Sequence, residues 1–415
     1  MCQVCKYMND KKIFPVLLGA DLNCYNVARA FHEEYGVRSY AFGKYAIGAT
    51  KHTRILTFTE IDYGDNDEQL LTLLESFADE HNDGIRIILG CTDEYAAFIS
   101  KYRKRLGKRY IVPYIPYEQM AYLTLKANFY KLCEKYGILY PKTVVYSKGD
   151  SIDSLPFDYP IIIKASSSVM YWQHPFEGMK KCYRAGNREE VEKILADIYA
   201  AGYLDKVIIQ DTIPGDDSQM YVLTCYSDGE GRVRMSCLGH VLLEEHTPKG
   251  LGNHCAIITE SNPELVEGFV ALLEGEGYTG FSNFDIKYDH RDGSYRAFEI
   301  NTRQGRSNYY VTASGHNIAR YLVQDRVYNA PYTGRVDNVN EIYWRYVPDD
   351  VVLGYMNDEI KTRILRLKSQ RKAYSSMRYK YDLCFNPLRY AFVITHEYHH
   401  RKKFATYYRK EDMNP

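Results

Sequence analysis

The chain has 415 residues, of which 45% are apolar, more than one ordinary core accommodates, so two or three packed domains are expected. Lys plus Arg and Asp plus Glu each number 53, and this zero formal charge argues against a protein whose whole surface is built for nucleic acid. The 10 cysteines are scattered and read as reduced thiols, and no apolar run reaches membrane-spanning length.

The opening stretch, MCQVCKYMNDKK, lacks a signal-peptide apolar core, which points to a soluble, cytoplasmic protein. Cys2 and Cys5 have CxxC spacing without a second pair, so a frayed N-terminus is expected there rather than a zinc or redox site. From Phe14, short apolar strands (FPVLLG, VRSYAFG, RILTFT, IRIILG) alternate with amphipathic helical stretches. That pattern predicts βαβ units and a parallel sheet over residues 1–116.

One long helix, from about Glu118 to Tyr136, should lead into a second lobe spanning 117–213, where strands and a helix mix in α+β fashion. A third lobe, 214–330, is predicted from long alternating strands such as SQMYVLTCYSD and GFSNFDIKYD, closed by a helix ending near Asp325. Residues 331–415 form a basic, Tyr-rich extension, with 14 Lys/Arg against two carboxylates, Asp382 and Glu397, over 361–410. Packing against the acidic remainder is the first reading of that extension, contact with an anionic membrane the second and nucleic acid a distant third. Within it, HEYHH (His396 to His400) fits HExxH, which on a helix would offer two zinc ligands and a glutamate base. Little chain follows to supply a third ligand, so a solvated tail is expected instead.

There is no GxxxxGK[ST], no GxGxxG after the first strand and no GxSxG. The chemistry concentrates in RAFEINTRQGRSNYY, residues 296–310. Glu299 and Asn301 lie two apart in a strand and so share a face. The Asp- and Gly-rich turn DHRDGS should fold this strand back on GFSNFDIKYD, bringing Asp285 close to opposite Glu299. Two carboxylates and a carbonyl oxygen on one face suit Mg²⁺, which takes its remaining ligands from water and phosphate. A solvated strand edge with ordinary hairpin charges is the alternative. Arg303 and Arg306, beyond the strand end, could reach a transferring phosphoryl group or a substrate carboxylate.

Lys164 ends the very apolar strand YPIIIKAS, and Lys126 lies in the helix entering the same lobe; both could place cations on ATP phosphates, with snorkelling as the plainer explanation. Ser166, Ser167 and Ser168 open the stretch ASSSVMYWQHPF, which reads as a flap closing over phosphate or as a surface loop. In VIIQDTIPGDDS, the segment of Gln210, Asp211 and Ile213 could present backbone groups to an adenine edge, with Asp216 or Asp217 near the ribose; a hinge without ligand is the alternative.

The order of these features, Lys126, Lys164, the Ser-rich stretch, QDTIPG, Asp285 and the E-x-N pair, resembles the ATP-grasp superfamily. PGDDSQMYVL, CLGHVLLEE, TGFSNFDIKYDHRDG and FEINTRQGRSNYYVT are more closely similar to the bacterial D-aspartate ligases that act on peptidoglycan precursors, a likeness running from about Phe14 to Asn329. The resemblance implies an N-terminal parallel-sheet lobe followed by two α+β lobes clamping ATP. It implies carboxylate–amine ligation through an acyl phosphate, with two Mg²⁺ on Asp285, Glu299 and Asn301, Lys126 and Lys164 on the phosphates, and Arg303 steadying the acyl phosphate. The acid would be D-aspartate, activated at its β-carboxylate, and the amine the lysine side chain of a UDP-MurNAc-pentapeptide. Substrate contacts are expected from Asp21 and Asn23 in GADLN and from Lys249 and Asn253 in EHTPKGLGNHC, whereas His240 reads as a hydrogen-bonded core residue. The flap departs from the family pattern in being serine- rather than glycine-rich.

Overall fold

A computed structural model describes residues 11–62, 66–247 and 250–408. The Cys2–Cys5 pair and Lys249 lie outside the described residues, as does the side chain of Ser168.

Four parallel strands, β1 (Ile13–Leu18), β2 (Ser39–Gly43), β3 (Leu56–Glu60) and β4 (Ile85–Gly90), form the first sheet in the order 3-2-1-4. β1 is an unbroken apolar run with all six of its residues buried, as expected of a parallel strand covered on both faces. Gly19 lets the chain leave β1 at φ 135°, where a Cβ would meet that of Cys91 at 2.9 Å. Asp21 then caps the helix Leu22–Tyr35, its carboxylate accepting from the Cys24 amide at 3.2 Å.

The second sheet is antiparallel: β5 (Thr143–Tyr146), β6 (Ile161–Ala165), β7 (Tyr183–Ala185) and β8 (Val207–Asp211), in the order 5-8-6-7. It has its own core, in which Ile161, Ile163 and Ile209 pack on Val191, Leu195 and Ile198 of helix Arg188–Ala200. A lobe with a separate core can move as a unit against its neighbours.

The third sheet is built on β9 (Met220–Ser227), β10 (Val233–Glu245), β11 (Asn253–Glu260), β12 (Gly280–Asp289) and β13 (Ser294–Asn301). Three short strands from the expected extension complete it: β14 (Val336–Asp337) pairs with β10, and β15 (Tyr343–Arg345) and β16 (Ala373–Ser375) extend the β11 edge. Trp344 of β15 is fully buried, its indole N–H donating to the Ser376 hydroxyl at 2.9 Å.

Two expectations need correction. The helix expected from Glu118 to Tyr136 is two helices, Tyr117–Thr124 and Lys126–Lys135, because Leu125 is extended (ψ 115°) and the Thr124 hydroxyl bonds back to the Met120 carbonyl. The HExxH segment is not a solvated tail: it lies on helix Pro387–Tyr407, with His400 and Phe404 buried. The positive charge of the extension is largely met by acids, Arg363 by Glu260 and Glu341, Arg366 by Glu341, Lys368 by Asp349, Arg378 by Glu397, Arg389 by Asp382 and Arg401 by Asp350. Among the described residues, no helix is long and apolar enough to cross a membrane.

Candidate active site

The β12–β13 hairpin sets Asp285 opposite Glu299 and Asn283 opposite Asn301, with an irregularity just after Asp285. The Asn301 side-chain amide donates to Asp285 Oδ2 at 3.3 Å. Lys126, placed first in its helix by the break at Leu125, donates to Glu299 Oε2 at 2.8 Å. This cation keeps Glu299 well below the usual carboxylate range, whereas burial, and then the charge of Glu299, push Asp285 up. The face therefore carries one carboxylate paired with a cation and a second that burial disfavours from ionising.

Lys164 projects from β6 with its ammonium 5.3 Å from the Phe298 ring centroid. Burial, reinforced by Lys126, depresses its pKa to about 8. Both lysines thus bear on Glu299, Lys126 by direct contact and Lys164 through its nearby charge. Arg303 ion-pairs with Asp93 of the first lobe at 2.7 Å. Arg306 stacks over Tyr346 at 4.9 Å, and its buried Nη1 has no hydrogen-bond partner.

Sequence reasoning missed Glu244, Lys287 and Lys181. Burial, then Asp217 and Asp285, push the Glu244 carboxyl up, while Lys287 and Lys181 oppose the shift. Lys287 donates to the Gly215 carbonyl at 2.8 Å. A lysine two positions after Asp285 shares its strand face, the one signal that could have revealed Lys287.

Several expected ligands are occupied within the protein. The Gln210 amide donates to the hydroxyls of Tyr130 (2.9 Å) and Thr143 (2.7 Å), and Asp211 pairs with Arg291 at 2.6 Å. Ile213 is buried beyond the end of β8. Asp216 accepts from the Ser218 amide at 2.9 Å, and Asp217 accepts from the Glu244 amide (2.8 Å), His246 (2.9 Å) and Tyr408 (3.2 Å). Ser166 is buried, its amide donating to the Lys206 carbonyl at 3.0 Å. Ser167 caps a helical turn, Ser168–Trp172, within the stretch read as a flap or a surface loop. Asn23 has no exposed surface: it donates to the carbonyls of Cys91 (2.9 Å) and Gln304 (3.1 Å) and accepts from Asn308 (2.8 Å), joining the first lobe to the third. Its capacity is spent inside the protein, which corrects its expected substrate contact. Asn253 begins β11 opposite Glu245, and His240, bonded to the Ser218 carbonyl at 2.7 Å and stacked on Tyr221, is the core residue expected. Asp21 lines a cavity of about 530 Å³ at the carboxyl end of the first sheet, with Gly19, Thr92 and Phe98.

Among the described residues, no three or more His, Cys, Asp or Glu side chains form a metal cage. Two carboxylates and an amide instead fit an ion such as Mg²⁺ that draws its other ligands from phosphate and water. The HExxH pair does not supply the zinc arrangement, because Glu397 is held by Arg378 and the two histidine Nε2 atoms face each other at 3.0 Å.

No family model matches the chain. Over 378 residues, however, it is 39% identical to the D-aspartate ligase of Enterococcus faecium (strain Aus0004), covering 88% of this chain and 90% of that protein. The chain belongs to the D-aspartate ligase family. It is an ATP-dependent carboxylate–amine ligase with the ATP-grasp fold. Solved structures share this fold at low identity. An L-amino acid ligase from Bacillus licheniformis aligns at TM-score 0.55 and 14% identity, over 77% of this chain and 75% of that one. A 2-oxoglutarate carboxylase biotin carboxylase domain from Hydrogenobacter thermophilus, solved with MgADP, aligns at 0.56 and 16%, over 79% and 73%. An N5-carboxyaminoimidazole ribonucleotide synthetase, solved with ADP, aligns at 0.56 and 13%, over 86% of each. In D-aspartate ligase terms, the face bearing Asp285, Glu299 and Asn301 lies where the lobe carrying Lys164 meets the third sheet, and Arg303 links that face to the first lobe.

Proposed function

We propose that this ligase activates the β-carboxylate of D-aspartate as an acyl phosphate and joins it to the lysine side-chain amine of a peptidoglycan precursor, a UDP-MurNAc-pentapeptide, in the cytoplasm. The observation that carries the reading is the meeting of Lys126, Lys164 and Arg303 with the Asp285–Glu299–Asn301 face, in a chain 39% identical to a D-aspartate ligase.

A carboxylate is a poor acyl donor, because its leaving group would be an oxide ion. Transfer of the ATP γ-phosphoryl group to the carboxylate oxygen provides phosphate as leaving group, and ADP departs. The amine nitrogen then attacks the acyl carbon, the C–O bond to phosphate breaks and the ammonium proton is released. In this reading Asp285, Glu299 and Asn301 hold two Mg²⁺, which supply charge neutralisation to the phosphates when bound. Lys126 and Lys164 neutralise the inner phosphates, and Arg303 steadies the acyl phosphate and the tetrahedral oxyanion. Ser166, Ser167 and Ser168 lie at the phosphate side, the segment Gln210, Asp211 and Ile213 offers backbone to the adenine, and Asp217 lies towards the ribose. Lys249 and Asn253 are assigned to acceptor contact.

The test is phosphate release from MgATP with D-aspartate, L-aspartate and D-asparagine, each with and without the acceptor. Release that requires D-aspartate and acceptor, with a new amide by mass spectrometry, supports the reading; release with another acid retains the ligase and discards the substrate.

A further inference from the structure

We propose that Asp21 and Arg306 form the subsite that grips the zwitterionic head of the amino-acid substrate, Arg306 taking its α-carboxylate and Asp21 its α-ammonium, so that only the side-chain carboxylate reaches the phosphoryl site. The inference rests on the function proposed above.

Arg306 is anchored rather than mobile. Its carbonyl accepts from the Asn26 side chain at 3.1 Å, and its guanidinium lies over the Tyr346 ring at 4.9 Å. Yet its buried Nη1 has no partner, and no ion pair to Arg306 occurs among the described residues. A buried guanidinium without a hydrogen-bond acceptor is costly, and a bidentate carboxylate is its natural complement. The surrounding groups leave that role open. His254 and His400 are held neutral by burial, with Arg306 also disfavouring their protonation, and the nearby Glu245 is engaged by the Thr247 hydroxyl at 2.8 Å and by Lys403 at 3.6 Å.

Asp21 supplies the opposite charge. One of its oxygens is fixed by the Cys24 amide, so the carboxylate is oriented by the helix it caps. Burial pushes the Asp21 carboxyl up, and Arg306 and then Arg303 oppose that shift, although neither forms an ion pair with it. The bonds of Asn23 to Gln304 and Asn308, and of Asn26 to the Arg306 carbonyl, seat the helix that Asp21 caps against the segment carrying Arg306. An amino acid whose two carboxylates are separated by one methylene beyond the α-carbon can place one on each arginine side, so that the distal carboxylate is the one presented for activation.

Wild type, Arg306→Met, Arg306→Lys and Asp21→Asn are compared at saturating MgATP, with hydroxylamine as the amine. The acids are D-aspartate, β-alanine, which lacks the α-carboxylate, and succinate, which lacks the ammonium. Wild type should favour D-aspartate over each on the order of 100-fold in kcat/KM. Arg306→Met should lose most of the preference over β-alanine, Arg306→Lys should lose part of it, and Asp21→Asn should lose the preference over succinate. ATP affinity should remain that of wild type in all variants. Unaltered preference ratios, or equal loss of D-aspartate and analogue turnover, overturn the subsite alone. Wild type active on another amino acid but not on D-aspartate overturns both the subsite and the function on which it rests.

Discussion

The Lys126 ammonium lies 2.8 Å from Glu299 Oε2, joining the helix that enters the second lobe to the last strand of the third-lobe hairpin. The pair holds Glu299 ionised on the face where Asp285 is pushed the other way. Glu299→Gln keeps the shape and removes the charge. Turnover should fall by about 10²–10³-fold, the loss typical of one positioned electrostatic group, while circular dichroism remains native. A near-normal rate would remove Glu299 from the metal site.

Lys164 should make nucleotide binding pH-dependent. Its pKa is lowered to about 8, so the cation that meets phosphate is fully present only below that value. ATP affinity, followed by calorimetry, should decline above pH 8, by up to roughly tenfold per unit if one proton is linked. Lys164→Met should bind more weakly at neutral pH and lose this component of the pH dependence.

The paired histidines of the last helix should weaken the fold in acid. His396 and His400 are both lowered to about 3, mainly by burial, from an ordinary value of 6.5. Between these values the unfolded chain binds more protons than the folded one. Their contribution is therefore complete above about pH 6.5 and is lost as pH falls towards 3. Denaturant unfolding should show stability dropping between pH 6.5 and 5, and a His396→Leu/His400→Leu variant should flatten that drop. Dialysis against a chelator should leave wild-type stability unchanged.

Arg389 of the last helix and Asp382 of the short helix before it form a fully buried ion pair at 3.0 Å, and their further bonds fasten both to the first lobe. Arg389 also donates to the Ala49 and Lys51 carbonyls at 2.7 Å, and Asp382 accepts from the Tyr25 hydroxyl and the Arg54 amide. Arg389→Met strands the carboxylate and should cost about 3–5 kcal/mol, measured by urea unfolding.

What the sequence disclosed follows from the range of the interactions. The hairpin placing Asp285 opposite Glu299 was legible because strand period and turn chemistry are local. The parallel first sheet was legible from uninterrupted apolar runs such as β1. By contrast, the joining of β14, β15 and β16 to the third sheet was hidden, because strands of two or three residues show no alternation. Glu244 and Asp285 belong to strands separated by β9, so their proximity depends on sheet order rather than spacing. Asn23 looked available for substrate because its partners, Gln304 and Asn308, lie far along the chain.

The most direct test of the central claim is isotope transfer. Aspartate labelled with ¹⁸O in its side-chain carboxylate is turned over with MgATP and acceptor, and the phosphate is examined by mass spectrometry. Acyl-phosphate chemistry predicts ADP and one ¹⁸O carried into inorganic phosphate for each amide formed. Unlabelled phosphate, or AMP with label in the nucleotide, would contradict it.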